Sequence, residues 1–267
     1  MADKPVADWD ALAREWDLWR ADDRQPTLWW RDDDAVDVTP ALDELRRVAR
    51  VPLALAVIPM ALERPLQERL GPYLRNWGQV RVLQHGVGHL NHAPAGAKKS
   101  EFPATRALGE IELALTVAAT FLRDTLGPDV LPVLTPPWNR IGAPALELLL
   151  RLGFHGVSRF DAFPYVAKTP ELPRLPPFRE INTQIDVIDW RGTRGFVGAE
   201  PALGWLVAHL SARRQGVVDP GLPTGILTHH LVHDTATWRF LENLQDWLAR
   251  RGELGVFQDP RALWPLP

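Results

Sequence analysis

A single-domain α/β barrel of parallel strands is the fold class this sequence predicts, and three observations predict it. Strand-like and helix-like segments alternate about seven times along 267 residues, a length that suits one barrel-sized domain. Most of the strand-like runs are apolar throughout, as expected where both faces are covered. The polar residues able to do chemistry gather at the C-terminal ends of those runs, and in a parallel barrel these ends share one face. An open doubly wound sheet is the alternative reading of the same alternation. The lack of a GxGxxG or P-loop motif weakens its nucleotide-binding versions.

The elements follow in order. Trp9, Leu12, Trp16 and Trp19 recur at helical spacing over residues 8–20. Residues 1–26 are therefore expected to form a helical segment packed on a barrel spanning 27–267. TLWWRDDD (27–34) is the first strand, an apolar run ending in acids. Thr39-Pro40, with Asp43 and Glu44, opens a helix with Pro in its first turn. PLALAVIP (52–59) and VRVLQHG (80–86) are strands flanking a helix over 61–70. A long helix over 104–125, a strand over 130–138, a helix over 143–152 and a short strand over 153–159 come next. The Pro-rich stretch 164–177 reads as a surface loop. INTQIDVIDW (181–190) is a strand, followed by a helix over 200–214, the strand TGILTHH (224–230) and a last long helix over 235–251. GVFQD (255–259) is a candidate terminal strand.

Composition removes several functional classes. Hydrophobic residues at 46% and charged residues at 24% exclude disorder as the main state. A net charge of -3 supplies no field for nucleic acid phosphates. With no cysteine there is no disulfide scaffold, thiolate zinc site or Cys nucleophile. No run approaches the roughly 18 apolar residues of a membrane span. The opening MADKPVADWD has neither a basic start nor an apolar run, so a cytoplasmic protein is expected. Most of the 12 Trp are expected in the core.

The polar clusters carry the functional reading. Asp32, Asp33 and Asp34 close the first strand, where three adjacent carboxylates repel one another without a cation. His85 and His89 stand four apart, which would place both imidazoles on one side of a helical turn, a common chelate spacing. Trp138 and Asn139 follow the fourth strand. Asp186, Asp189 and Trp190 end the strand near 181–190, where one of the two acids could hold a catalytic His protonated. Of the adjacent His229 and His230, only one can face the site from a strand. His92 is a candidate substrate contact, whereas His155 and His209 read as structural. One carboxylate with two neutral imidazoles leaves coordination positions open and suits zinc first, then cobalt, nickel or iron. These are the parts of metal-assisted hydrolysis of an amide or ester.

Taken together, Asp-Asp, HGVGH (85–89), TPPWN (135–139), DVIDW (186–190) and LTH (227–229) resemble, in that order, the motifs of the polysaccharide deacetylases. This is the NodB-homology domain, or carbohydrate esterase family 4. The resemblance covers about residues 27–232. It implies a distorted (β/α)7 barrel and a metal held by Asp-His-His. RDDDA (31–35) is similar to the family's Phe-Asp-Asp-Gly turn. With Ala35 in the place of Gly, Asp33 is the general base and Asp34 the metal ligand beside His85 and His89. A frame one residue earlier gives those roles to Asp32 and Asp33. The resemblance makes His229 the general acid, with His230 in reserve and Asp186 or Asp189 in support. Trp138, Asn139, Trp190, His92 and His230 fall on the substrate side. Thr135 stands where the family has an Arg paired with the base, and Arg31 or Arg140 are the candidate replacements.

The expected activity is removal of an acyl group, N-acetyl first, from a small or oligomeric carbohydrate. The alternatives are hydrolysis of a non-sugar amide and a non-catalytic carbohydrate-binding or regulatory role. The retained metal-type ligands argue against the last. No nucleic acid partner and no membrane span are expected.

Overall fold

The computed structural model describes residues 5–61, 64–162 and 178–265. The expected loop 164–177 lies outside the described residues. Eight parallel segments form one sheet: β1 (Leu28–Ala35), β2 (Leu53–Val57), β3 (Val80–His85), β4 (Val130–Thr135), β5 (Gly156–Val157), β6 (Arg179–Glu180), β7 (Ile185–Asp186) and β8 (Thr224–Thr228). Their order is β6-β5-β4-β3-β2-β1-β8-β7.

β6 and β7 lie on one extended run that changes partner midway. The N–H groups of Arg179, Ile181 and Thr183 donate to the carbonyls of His155, Val157 and Arg159. Those of Gln184 and Val187 donate to Gly225 and Leu227 on β8. Residues 179–187 therefore act as one stave between β5 and β8, and seven staves close the ring. This is a single-domain (β/α)-type barrel, and the strand expected over 181–190 is in fact two short pieces because its pairing switches sides. Gly225 is required at the closure. A Cβ there would lie 2.4 Å from Trp29 Nε1 and 2.7 Å from Thr183 Cα.

Alternation along the strands sorts residues to the two faces of the ring. Trp29, Ala54, Ala56, Leu83, Leu131, Val133 and Ile181, from five staves, fill the lumen as one cluster with Leu263 and Trp264. Trp264 plugs the N-terminal end, its ring 5.6 Å from Trp29 and its Nε1 donating to Arg179 O. Leu28, Trp30, Leu53, Leu55, Val57, Val80 and Val82 point outward into the helical layer.

That layer holds α1 (Trp9–Ala21), α2 (Pro40–Val48), α3 (Arg64–Arg75), α4 (Leu108–Leu126), α5 (Ala143–Arg151), α6 (Ala199–Arg214) and α7 (Thr235–Arg250). A short α8 (Pro260–Leu263) follows. α1 is capped by Asp8 and buries Leu12, Trp16 and Trp19. Trp16 meets Trp247 of α7 edge-on at 5.3 Å, and Ala7 N donates to Glu200 O in the first turn of α6, so α1 lies on its own barrel. α3 runs beyond the expected 61–70 and continues through Pro72. The candidate strand over 255–259 reduces to a single bridge from Phe257 to Leu28 after a 3-10 turn (Leu254–Val256). Among the described residues no helix is long and apolar enough to cross a membrane. Trp16, Trp19, Trp29, Trp30, Trp77 and Trp264 are buried, while Trp190 is 42% exposed at the C-terminal rim.

Candidate active site

The site is built on β1, where the period of two sends neighbouring acids to opposite faces. Trp29, Arg31 and Asp33 share the lumen face. Arg31 is fully buried and grips Asp33 at two points, Nε to Oδ1 at 2.9 Å and Nη2 to Oδ2 at 3.0 Å. Its remaining donors cross the lumen to Ser158 Oγ (2.6 Å), Arg159 O (3.3 Å) and Asn139 Oδ1 (2.8 Å). The carboxylate of Asp33 is thus paired by an Arg two residues away on its own strand. Thr135 is buried there. Arg140 is exposed and donates to Lys99 O, so it does not reach Asp33.

Asp32 faces the other way and is also fully buried. Its Oδ1 is 2.5 Å from His230 Nδ1, and its Oδ2 accepts from Thr228 Oγ1 (2.5 Å) and His230 N (3.1 Å). Burial would raise this carboxyl, but the His230 imidazole and its hydrogen bond outweigh it and hold the pKa below the ordinary value. His230 thereby belongs to a pair outside the lumen.

Asp34 leaves the strand pattern. The β1–β2 register shifts between Asp32 and Ala35, and Asp34 takes φ 72°. This bulge turns its carboxylate toward β3. Oδ1 lies 3.0 Å from His85 Nε2 and 3.4 Å from His89 Nε2. The three ligand atoms lie within 4.8 Å of one another. His85 Nδ1 donates to Thr135 O at 2.9 Å, which directs Nε2 at Asp34. Two acceptors that close repel unless a positive charge stands between them. Burial opposes the His85 imidazolium, yet the carboxylates of Asp33 and Asp34 raise its pKa. Burial likewise opposes the Asp34 anion, and the His85 hydrogen bond with the nearby His charges holds its pKa well below the ordinary range. Burial and the neighbouring His85 lower the pKa of His89, which favours its neutral form. Ligands about 2.0–2.2 Å from one zinc ion stand ~3–3.5 Å apart, and the two distances from Asp34 Oδ1, 3.0 and 3.4 Å, are of that size.

The two histidines do not meet on a helical turn, as their spacing suggested. Residues 86–90 are an irregular loop with Gly86 at φ 61° and His89 at φ 56°. Glu101, which the sequence reading did not single out, holds that loop. It is 1% exposed and accepts from Val87 N (3.0 Å), Gly88 N (2.8 Å) and Leu90 N (3.4 Å).

Opposite the Asp-His-His group, His229 Nε2 stands 4.0 Å from Asp33 Oδ2. Trp190 meets the His229 ring edge-on at 4.7 Å, and its Nε1 donates to Asp186 Oδ2 at 2.8 Å. Asp186 also accepts from Ile188 N at 3.0 Å, and burial raises its pKa against the pull of His229. His233 Nε2 accepts from His229 N at 3.2 Å. Trp138, at φ 55°, packs on His89 with ring centres 4.4 Å apart. The Asp189 carboxylate folds over its own turn, where a Cβ on Gly192 would lie 2.5 Å from Oδ2. His92 is exposed in the 90–100 loop, its N–H donating to Ser100 O.

No family model matches the chain, and no curated protein matches it in sequence. Solved structures do. A family 4 carbohydrate esterase from Streptococcus mutans is 14% identical with TM-score 0.53, over 93% of this chain and 90% of that one. A family 4 acetyl xylan esterase from Clostridium thermocellum, in complex with cobalt, is 14% identical with TM-score 0.51, over 89% of each chain. A family 4 carbohydrate esterase from Streptomyces lividans, in complex with acetate, is 12% identical with TM-score 0.51, over 85% of this chain and 90% of that one. With the closed ring and its parallel order, these likenesses show that the chain has the fold of the family 4 carbohydrate esterases.

Proposed function

We propose that this protein is a divergent polysaccharide deacetylase, a metal-dependent hydrolase that removes an acyl group, N-acetyl foremost, from a carbohydrate. One observation carries the reading: Asp34, His85 and His89 converge at the barrel mouth beside an Arg-clamped Asp33, with His229 on its far side. The cobalt and the acetate in the two esterases of like fold support a divalent cation and an acyl product.

Asp34, His85 and His89 would hold the cation. When bound, a divalent ion polarises the acyl carbonyl and makes water acidic. Asp33 accepts the proton of the attacking water, and the Arg31 fork fixes the direction of its lone pairs. His229 protonates the departing amine. Asp186 supports it through Trp190, which Asp186 orients against the imidazole. Trp138 and Trp190 wall the approach from two sides and offer faces for a sugar ring. Asn139 acts through Arg31 rather than on substrate. His230, paired with Asp32, sets the turn that follows His229.

Elemental analysis of the purified protein tests this first, beside His85→Ala/His89→Ala. About one divalent metal per chain, lost in the variant, is expected. Acetate release from N-acetylhexosamine oligomers should stop with chelator and return with zinc or cobalt. Asp33→Asn should keep the metal and lose at least ~100-fold in turnover. Failure of the wild type to take up zinc or cobalt would overturn the proposal. Metal uptake with unchanged turnover in Asp33→Asn would remove Asp33 from the mechanism.

A further inference from the structure

We propose that Glu101 is a positioning residue that sets cation affinity by holding His89 in its ligand geometry. The inference rests on the reading of Asp34, His85 and His89 as a cation site.

His89 is carried by a loop with no helix or sheet ladder of its own. Its φ of 56° is in the left-handed region, which costs a non-glycine residue ~1 kcal/mol or more. Such a backbone persists only when its surroundings impose it; Met60 N donates to Val87 O and Trp138 packs on His89, but the Glu101 carboxylate makes the most bonds to the loop. It gathers three main-chain N–H groups from residues 87–90, two before His89 and one after it. Among the described residues no Lys, Arg or His forms an ion pair with it. The hydrogen bonds to the buried charge come from backbone N–H groups, the arrangement of an anion-binding nest, and its field reaches the His89 imidazole. Burying a carboxylate is costly, and an apolar side chain could fill the volume without that cost. What it could not do is fix three of the four peptide planes between Gly86 and Leu90.

Glycine at position 86 belongs to the same device. A Cβ there would lie 2.0 Å from Glu101 Oε2 and 2.6 Å from Pro137, so the carboxylate occupies the room a side chain would take. Glu101 is held from behind, with Arg106 Nη1 donating to its carbonyl at 3.1 Å.

The test uses Co2+ as probe, with affinity from isothermal titration and coordination from the visible absorption of the bound ion. Glu101→Gln keeps the shape but only one carbonyl acceptor, and Glu101→Ala removes both oxygens. Loss of an outer partner of a metal ligand typically weakens metal binding by ~10–100-fold. We expect a loss in that range for Glu101→Ala with an altered cobalt spectrum, and a smaller loss for Glu101→Gln. Far-UV circular dichroism checks the fold, and Glu101→Gln serves if Glu101→Ala does not fold. In a His89→Ala background the Glu101→Gln change should cost no further affinity, because its effect passes through His89. A wild type that binds Co2+ while Glu101→Gln binds it equally with the same spectrum would overturn this inference alone. So would an equal loss in the His89→Ala background. A wild type that binds no Co2+ would overturn the cation site itself and this inference with it.

Discussion

Three consecutive carboxylates on one strand are tolerable only if each meets its own positive partner, and the strand geometry makes that separation. Asp32 points out to His230, Asp33 points in to Arg31, and Asp34 is turned by a bulge toward His85 and His89. The Arg31–Asp33 pair is the most exacting, because both side chains are essentially sealed from water. Breaking a buried pair by removing one partner strands the other charge. Arg31→Met should therefore destabilise the protein by about 3–5 kcal/mol in urea unfolding. Arg31→Lys should lose less stability yet still lower turnover, since a point charge cannot hold both carboxylate oxygens. Equal stability of Arg31→Met and wild type would show that the pair contributes nothing. The clustering of the candidate site was legible in the sequence because β1, β3 and β8 end in chemistry-bearing side chains. Arg31 was one of two candidates for the clamp, and only the shared lumen face distinguishes it from Arg140. Glu101 was not legible: its partners are main-chain groups, which leave no signature in side-chain spacing.

Among the elements, the packing of α6 on β8 carries a titratable group away from the site. His209 is 3% exposed, with Nδ1 2.9 Å from Thr224 Oγ1. Burial, aided by the Arg213 charge, pushes its pKa down to about 3. An unfolded His binds its proton near 6.5. Between about pH 6.5 and 3 the unfolded chain thus holds one more proton at this position than the folded one. Stability from His209 is complete above that window and declines as pH falls through it, by up to ~1.4 kcal/mol per pH unit. His233, pushed down to about 4 mainly by burial, acts in the same direction. His209→Gln should show a shallower loss of stability between neutral pH and about pH 5, read from urea midpoints at both. Identical acid slopes would rule out His209 as a source of acid lability. The helices themselves follow from caps and apolar spacing. Thr39 caps α2 and Asp234 caps α7, both through side-chain bonds to the third residue on.

For the whole molecule, closure of the ring is the decisive event. It brings the end of β8, with His229, beside β1 and sets residues 184–190 next to both. Closure depends on close approach at Gly225, where Trp29 and the 182–183 backbone leave no room for a side chain. Gly225→Val should cost about 3 kcal/mol or more and weaken cation binding, since the mouth can no longer assemble. Gly109→Ala in α4 is the control. Its Cβ would meet nothing within 4 Å, and the change should be neutral or stabilise by about 0.5–1 kcal/mol. A Gly225→Val protein with wild-type urea midpoint and Co2+ affinity would show that the ring is not needed to build the site.

The sequence by itself determined the alternation of strands and helices, the parallel barrel class and the five polar clusters at strand ends. Hydrophobic periodicity and local turn chemistry are short-range properties, and they are written directly in residue order. Only the tertiary structure decided the rest. The split stave 179–187, the bulge that turns Asp34, the clamp of Arg31 on Asp33, the different partners of His229 and His230, and the grip of Glu101 all depend on long-range partners. Each is a choice between faces or partners that residue order leaves equal, and it is resolved when the ring closes and buried charges must find their counterparts.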